Sequence, residues 1–375
     1  MKFDLIINQL DEHNEVGILL SKKFNTKKIV MLQKKNESKP INDLSLDEIE
    51  LINEYIDCDS YNDVKNAISK YKNKNIIICL NGGDRLISIM MLKVAEELNI
   101  PCVYVDLLKK RRYVFGEDYR VIEQPLDDIS ICDLITLSGA KIILESTDFT
   151  NKEDIKEFTK SILENIDIWH KYKQKLYNNN IFNHDYRDTY KVDINKTLIK
   201  NDEMKLVKGI LCNLKSKNEI DFIEDRDNIN VRFKNDYLKS FIFKSGTWLE
   251  VLTTLIMKEI DGIDEVKSGV VFNWSEDLKR VRNELDVVAI MDSILICISC
   301  KDSDKYDEDA LNELQVYSDR LGGKDAIKIL VATKEPVKRS VIDRAREMDI
   351  NLIILDKNIN SFKETLISVI KKKTD

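Results

Sequence analysis

A chain of 375 residues is too long for one small hydrophobic core and calls for two or three domains. Hydrophobic residues make up 43% and charged residues 33%, which fits an ordinary soluble globular protein. The net charge of -7 argues against indiscriminate nucleic-acid binding, while 59 Lys and Arg leave room for a local basic groove.

The N-terminal Met1-Lys2-Phe3-Asp4 leads straight into a strand with no signal peptide, and no apolar run approaches the ~20 residues needed to span a bilayer. The seven cysteines are Cys58, Cys79, Cys102, Cys132, Cys212, Cys297 and Cys300. Their number is odd and most sit in apolar runs, as reduced structural thiols of a cytosolic protein do. Cys297 and Cys300 form a CxxC, but odd spacing on a strand sends them to opposite faces, and no zinc or redox site is expected there. Three histidines, His13, His170 and His184, are too few and too scattered for a histidine-based metal site.

Phe3 to Ile7 reads as a strand, Val16 to Phe24 as a helix and Lys28 to Leu32 as a second strand. Leu46 to Asp57 and Tyr61 to Tyr71 carry helical spacing. Ile76 to Leu80 is apolar throughout, as a strand buried on both faces should be. Asn81-Gly82-Gly83-Asp84 then opens a helix, Arg85 to Leu98, before a strand at Cys102 to Asp106. This alternation predicts a parallel, doubly wound α/β sheet, with Tyr113 to Gln124 as an antiparallel addition. The glycine pair stands where α/β sheets bind ligands, at the carboxyl end of a central strand and the start of a helix. A plain tight turn with Asp84 as N-cap explains the same residues.

Farther on, Lys152 to Tyr177 reads as one long helix, Asn178 to Asp188 as a loop, and Glu203 to Lys215 as a helix. A small hairpin is expected at Ile220 to Ile223 and Asn230 to Phe233. Phe241 to Lys258 is helical, with Ser245-Gly246 near its start. Trp248, Leu249, Leu252, Leu255 and Ile256 form its apolar stripe, and Glu250 lies close beside them. After a strand at Val266 to Phe272 come two more, joined by the polar turn Met291-Asp292-Ser293. The first begins Asn283-Glu284-Leu285-Asp286; the second ends Ser299-Cys300-Lys301. Residues two apart on a strand share a face, so Glu284 aligns with Asp286 and Ser299 with Lys301. Pairing the strands lets acids and a lysine converge, an arrangement suited to a hard divalent metal and an anionic oxygen. A surface hairpin would place charges at the same strand ends. The remaining elements are a helix at Asp307 to Leu321 closed by Gly322-Gly323, then strand, helix, strand and helix to Lys371.

Two family resemblances follow. The strand, Asn81-Gly82-Gly83-Asp84-Arg85 and the long helix resemble the CRISPR-associated Rossmann fold, or CARF domain. The family pattern is close to Asn-x-Thr-Gly-Gly-Thr-Lys; here Gly82 and Gly83 match, while Asn81, Asp84 and Arg85 replace Thr, Thr and Lys. The resemblance implies a cyclic oligoadenylate site at a homodimer interface, formed by Asn81, Gly82, Gly83 and Arg85 with Asn8 and Gln9 nearby. Trp248-Leu249-Glu250, Asn283-Glu284-Leu285-Asp286 and Ser299-Cys300-Lys301 occur in the order of the PD-(D/E)xK nuclease core. The combination resembles the CRISPR ancillary nucleases.

That resemblance implies Asp286 as principal ligand of Mn2+ or Mg2+, the Cys300 carbonyl as backbone ligand, Glu250 completing the shell and Lys301 acting on the phosphate. Ser299 stands where the family has its second acid. Either Glu284, which shares a face with Asp286, supplies the missing carboxylate, or the site binds metal weakly or is dead. Gln315 and Tyr317 are expected near the substrate or on an ordinary helix surface. The implied divisions are a ligand-sensing domain at 1–140, a connector at 141–237 with winged-helix-like order, and a restriction-endonuclease-like α/β domain at 238–375. The implied activity is cleavage of single-stranded DNA or RNA, or nicking of duplex DNA, activated by cyclic tetraadenylate. A sensor with a degenerate nuclease domain and a constitutive repair or restriction endonuclease are the alternatives.

Overall fold

The structure is a computed structural model that describes residues 2–10, 14–35, 49–57, 59–116, 118–124, 126, 128–244, 246–274 and 282–374. It divides into two compact units, residues 1–146 with 256–375 and residues 147–255.

The first unit begins with β1 (Leu5–Gln9), α1 (Glu15–Phe24), β2 (Lys28–Lys34), β3 (Glu50–Ile56), α2 (Tyr61–Ser69), β4 (Ile76–Cys79), α3 (Arg85–Leu98), β5 (Cys102–Asp106), β6 (Arg111–Phe115) and β7 (Arg120–Glu123). These strands form a seven-stranded sheet in the order β3-β2-β1-β4-β5-β6-β7. The first five run parallel; β6 and β7 are antiparallel additions. All four residues of β4 are buried, as its unbroken apolar run requires. Chain order reverses direction between β1 and β4, which puts a switch-point crevice at their carboxyl ends.

The helix expected over Leu46 to Asp57 is, in its described part, the strand β3. It pairs with β2 over seven residues, from Lys28↔Glu50 to Lys34↔Ile56. Pairing with an otherwise open sheet edge satisfies seven residues of backbone, and this overrides a short stretch of helical spacing.

Next come α4 (Ile131–Leu137) and β8 (Lys141–Leu144). Although it falls in the expected connector, β8 is the edge strand of the C-terminal sheet.

The second unit contains α5 (Thr147–Thr150), α6 (Glu153–Glu164), α7 (Ile166–Leu176), β9 (Phe182–His184), β10 (Lys191–Asn195), α8 (Asn201–Ser216), β11 (Ile220–Glu224), β12 (Asn228–Phe233), α9 (Asp236–Phe243) and most of α10 (Thr247–Lys258). The expected long helix is two, broken at Asn165, where φ is -117 and ψ 32. The helix expected from Phe241 is likewise α9 followed by α10, with Gly246 at φ 95 before α10; Ser245 lies outside the described residues. The expected hairpin is β11–β12, the edge of a four-stranded antiparallel sheet, β11-β12-β10-β9.

The first unit resumes with β13 (Glu265–Asn273), β14 (Asn283–Met291), β15 (Ile294–Lys301), α11 (Glu308–Gly322), β16 (Ile327–Ala332), α12 (Arg339–Glu347), β17 (Ile350–Ile354) and α13 (Ile359–Thr374). Its sheet runs β17-β16-β15-β14-β13-β8. Asp292 and Ser293 both have positive φ, 51 and 66, and join β14 to β15 through the paired Met291 and Ile294. This is the two-residue turn whose twist matches a hairpin. Val287 to Ile290 and Leu295 to Ile298 are at most 1% exposed, so the hairpin is a rigid central element. Within the first unit one hydrophobic cluster joins α1 and α4 to strands of both sheets, through Ile18, Val103, Leu134, Val288, Leu295 and Leu311.

Candidate functional site

The β14–β15 ladder is regular from Met291↔Ile294 to Val287↔Ile298. Beyond it the Asp286 carboxylate takes over as acceptor. Its Oδ2 receives the Cys300 backbone N–H at 2.6 Å and the Ser299 hydroxyl at 3.2 Å. Among the described residues no hydrogen bond ends on Oδ1. Burial pushes the Asp286 carboxyl above its ordinary value. The Lys301 charge and the Cys300 N–H oppose that rise, and the like charge of Glu284 adds to it. A residue's N–H and C=O point to the same neighbouring strand, so the Cys300 carbonyl is turned to the side where its N–H meets Asp286.

Glu284 is exposed and Asp286 half-buried, with buried Asn283 and Leu285 alternating between them. The strand end holding Lys301 is pinned from β16: the Thr333 N–H donates to the Lys301 carbonyl at 3.1 Å. The Thr333 hydroxyl donates to buried Asp302 at 3.0 Å. Asp302 escaped the sequence reading because an acid one position past a lysine has no period to mark it.

The donor set suits a hard cation: one half-buried carboxylate with an open oxygen, one exposed carboxylate near it, and a backbone carbonyl. Among the described residues no group of three or more His, Cys, Asp or Glu is assembled for a metal. A Mg2+ or Mn2+ ion here would complete its shell with water and substrate oxygens, as Mg2+ commonly does. Cys297 and Cys300 are both buried, and burial pushes the Cys297 thiol up to about 12, which leaves it protonated and inert. Cys132 and Cys212 are exposed, unlike the buried thiols expected, and Cys58 lies outside the described residues.

Glu250 stands on α10, in the second unit, and is 9% exposed, so it is not on a solvated helix face. Its charge, after burial, pushes the Tyr237 phenol up. Gln315 is committed to its own sheet: it accepts from Lys328 Nζ at 3.0 Å and donates to Asp319. Tyr317 donates to Glu313 at 2.9 Å, and its ring meets Phe272 edge-on at 5.5 Å. Both side chains make helix and core contacts.

The N-terminal crevice differs in chemistry. Gly82 and Gly83 have φ 78 and 67, a conformation open to residues without a Cβ. A Cβ on Gly83 would sit 2.1 Å from Gln9 Cδ, so the turn lies directly on the end of β1. Asn8 and Gln9 are 2% and 3% exposed, and their side-chain oxygens Asn8 Oδ1 and Gln9 Oε1 are buried without a partner among the described residues. Asp84 caps α3 by accepting the Leu86 N–H at 2.8 Å and pairs with Lys34 at 3.4 Å. The Leu86 N–H, and after it Lys34, hold the Asp84 carboxyl below its ordinary value, and the Lys34 ammonium offsets its charge. Asn81 donates to the Val105 carbonyl and accepts the Val105 N–H, both at 2.7 Å. Its amide therefore ties β4 to β5. Arg85 is exposed at the start of α3.

A parallel switch-point sheet followed by an antiparallel-to-parallel sheet carrying an Asp and Lys at a broken ladder defines the class by fold: a Rossmann-like domain joined to a restriction-endonuclease-like α/β domain. Residues 238–372 match the family model for the Card1-like endonuclease domain. Over the whole chain the fold is similar to that of Can2 from Sulfobacillus thermosulfidooxidans, solved in complex with cyclic tetra-adenylate. The TM-score is 0.72 at 16% identity, covering 98% of this chain and 99% of that one. It is similar also to VC1899 from Vibrio cholerae, with TM-score 0.74 and 18% identity over 99% and 98% of the two chains. A type III CRISPR defence DNA nuclease activated by cyclic oligoadenylate aligns over 92% of this chain and 52% of its own, with TM-score 0.56 and 12% identity. Among curated proteins nothing matches this sequence. No described helix is long and apolar enough to cross a membrane.

Proposed function

We propose that the chain is a metal-dependent nuclease switched on by a cyclic oligoadenylate, with cyclic tetraadenylate as activator and a homodimer as the working form. The observation that carries this reading is the meeting of Asp286, Ser299 and Cys300, with the charge of Lys301 acting on Asp286, inside the segment matched by the Card1-like endonuclease domain. A Mn2+ or Mg2+ ion bound there would lower the pKa of a water and shield the charge of a phosphodiester transition state. The chain's own part is to orient and to balance charge. Cys300 N–H and Ser299 hold one oxygen of Asp286 and leave the other to a cation. Lys301 offsets negative charge on the phosphate. Glu284 supplies the second carboxylate at the position left by Ser299.

The sensor half binds its ligand at the carboxyl ends of β1 and β4. The orphan oxygens of Asn8 and Gln9 are acceptors suited to the exocyclic amine of an adenine. The Gly82-Gly83 turn and the N-terminus of α3, with Arg85, suit phosphate. The substrates are single-stranded DNA or RNA, with nicking of duplex DNA. A cleavage assay with Mn2+, with and without cyclic tetraadenylate, tests the reading: cutting is expected only with the activator and is abolished in Asp286→Ala. One observation favours a second reading, a sensor with a degenerate nuclease domain: Ser299 spends its hydroxyl on Asp286 instead of offering an acid. Tight binding of the activator with no cleavage under Mn2+ or Mg2+ selects it.

A further inference from the structure

We infer that the Lys110–Asp292 ion pair transmits the state of the N-terminal crevice to the Asp286 hairpin; this rests on the activated-nuclease reading above. The physical connection is continuous within the first unit. At one end Asn81, beside the Gly82-Gly83 turn, grips both backbone groups of Val105. A shift of the turn therefore moves the end of β5. The chain then leaves β5 through a tight turn in which Asp106 accepts the Lys109 N–H at 3.0 Å and the Leu107 carbonyl accepts the Lys110 N–H at 3.1 Å. Lys110 is held at φ 53, so its direction follows the turn.

Its ammonium meets Asp292 Oδ2 at 2.7 Å. Asp292 is the tip of the hairpin that carries Asp286 on one strand and Ser299, Cys300 and Lys301 on the other. The tip is fixed from a second side, because the Asp292 N–H donates to Asp264 Oδ2 at 2.8 Å, and the Asp264 N–H donates to the Ile290 carbonyl at 2.9 Å. From Asp292 to Asp286 runs about 20 Å of strand. That strand is packed too tightly to bend independently, so displacement of the tip reaches the carboxylate end. Val105, Asp106, Lys110, Arg112, Asp292 and Ser293 border a cavity of about 10 Å³ at this junction, room for a single water. Small rearrangements there need little repacking.

A partly exposed ion pair adds little stability, so its position at the junction, not its strength, is what makes it informative. The test uses the full chain and four proteins: wild type, Lys110→Gln, Asp292→Asn, and the charge-exchanged pair Lys110→Asp with Asp292→Lys. Asn at 292 keeps the positive-φ backbone acceptable, and Lys110 already shows that a lysine tolerates this conformation. Affinity for cyclic tetraadenylate is read by calorimetry, and cleavage with Mn2+ is read with and without activator. Each single variant is expected to bind the activator yet lose about fivefold or more of the activated-to-basal ratio, and the exchanged pair is expected to recover it. Single variants that activate like wild type overturn the inference, and so does an exchanged pair no better than the singles. A wild type that cuts equally with and without activator, or not at all, overturns the activated-nuclease reading and this inference with it.

Discussion

The two sheets of the first unit each build a site at the ends of their strands, by opposite means. The N-terminal crevice is mainly polar: two buried amides whose oxygens have no partner among the described residues, two glycines at positive φ and an acid whose charge is offset by Lys34. The C-terminal site is charged: Asp286 is held partly buried against its own desolvation by Cys300, Ser299 and Lys301. A recognition site can hold directional hydrogen-bonding groups unpaired, at about 1–3 kcal/mol for each buried group, which a ligand restores on binding. On the proposed reading a hydrolytic site must hold charge where a cation and a phosphate would meet, and the groups around Asp286 would supply the compensation in advance. The lesson is that Asn81 and Asp84, departures from the CARF pattern, make structural hydrogen bonds, while Ser299, the departure from the nuclease pattern, donates to the proposed metal ligand Asp286.

Substitutions that touch only one of these sites test the contrast most directly. The largest effect is expected from Asp286→Ala, which should lower activated cleavage by about 10²-fold or more while leaving the affinity for cyclic tetraadenylate intact. A parallel loss of affinity would show that the two sites are not chemically separate. Gly83→Val should act in the reverse sense. It adds strain at φ 67 and drives into Gln9, so activator affinity is expected to fall about tenfold or more in calorimetry, while Mn2+ binding is unchanged.

Glu284→Gln has a smaller expected effect, about tenfold on Mn2+ affinity, because its carboxylate is exposed. Unchanged Mn2+ affinity would remove Glu284 as the substitute for the missing acid and favour the degenerate-domain reading. The subtlest test is pH. Burial raises the Asp286 carboxyl, so its proton competes with the cation to higher pH than for an ordinary aspartate. Lys301 works against that rise, so Lys301→Met should move the acid limb of Mn2+ binding to higher pH still. A limb that stays in place would show that Lys301 does not act on Asp286.

Much of this was legible before any coordinates. The unbroken run Ile76 to Leu80 and the glycine pair after it marked a central parallel strand and its switch-point loop. Asn283 to Asp286 followed by an apolar run, and the polar turn at Met291 to Ser293, marked the hairpin. The errors lay where neighbours in space outvote neighbours in sequence. β3 has helical spacing but completes a sheet edge, and the breaks at Asn165 and before α10 carry no proline to announce them. Asp302 and the Lys110–Asp292 pair were invisible because their partners lie on other elements.

By itself the sequence determined the periodic elements, the parallel and hairpin strands, and the residue types able to bind phosphate or a divalent ion. Those follow from local propensity and alternation, which a linear chain displays. Only the tertiary structure decided that Asn81 clamps Val105, that Ser299 and Cys300 share one oxygen of Asp286, and that Lys110 meets the tip of the hairpin. Such contacts arise from the packing of distant segments, and no spacing along the chain encodes their distances.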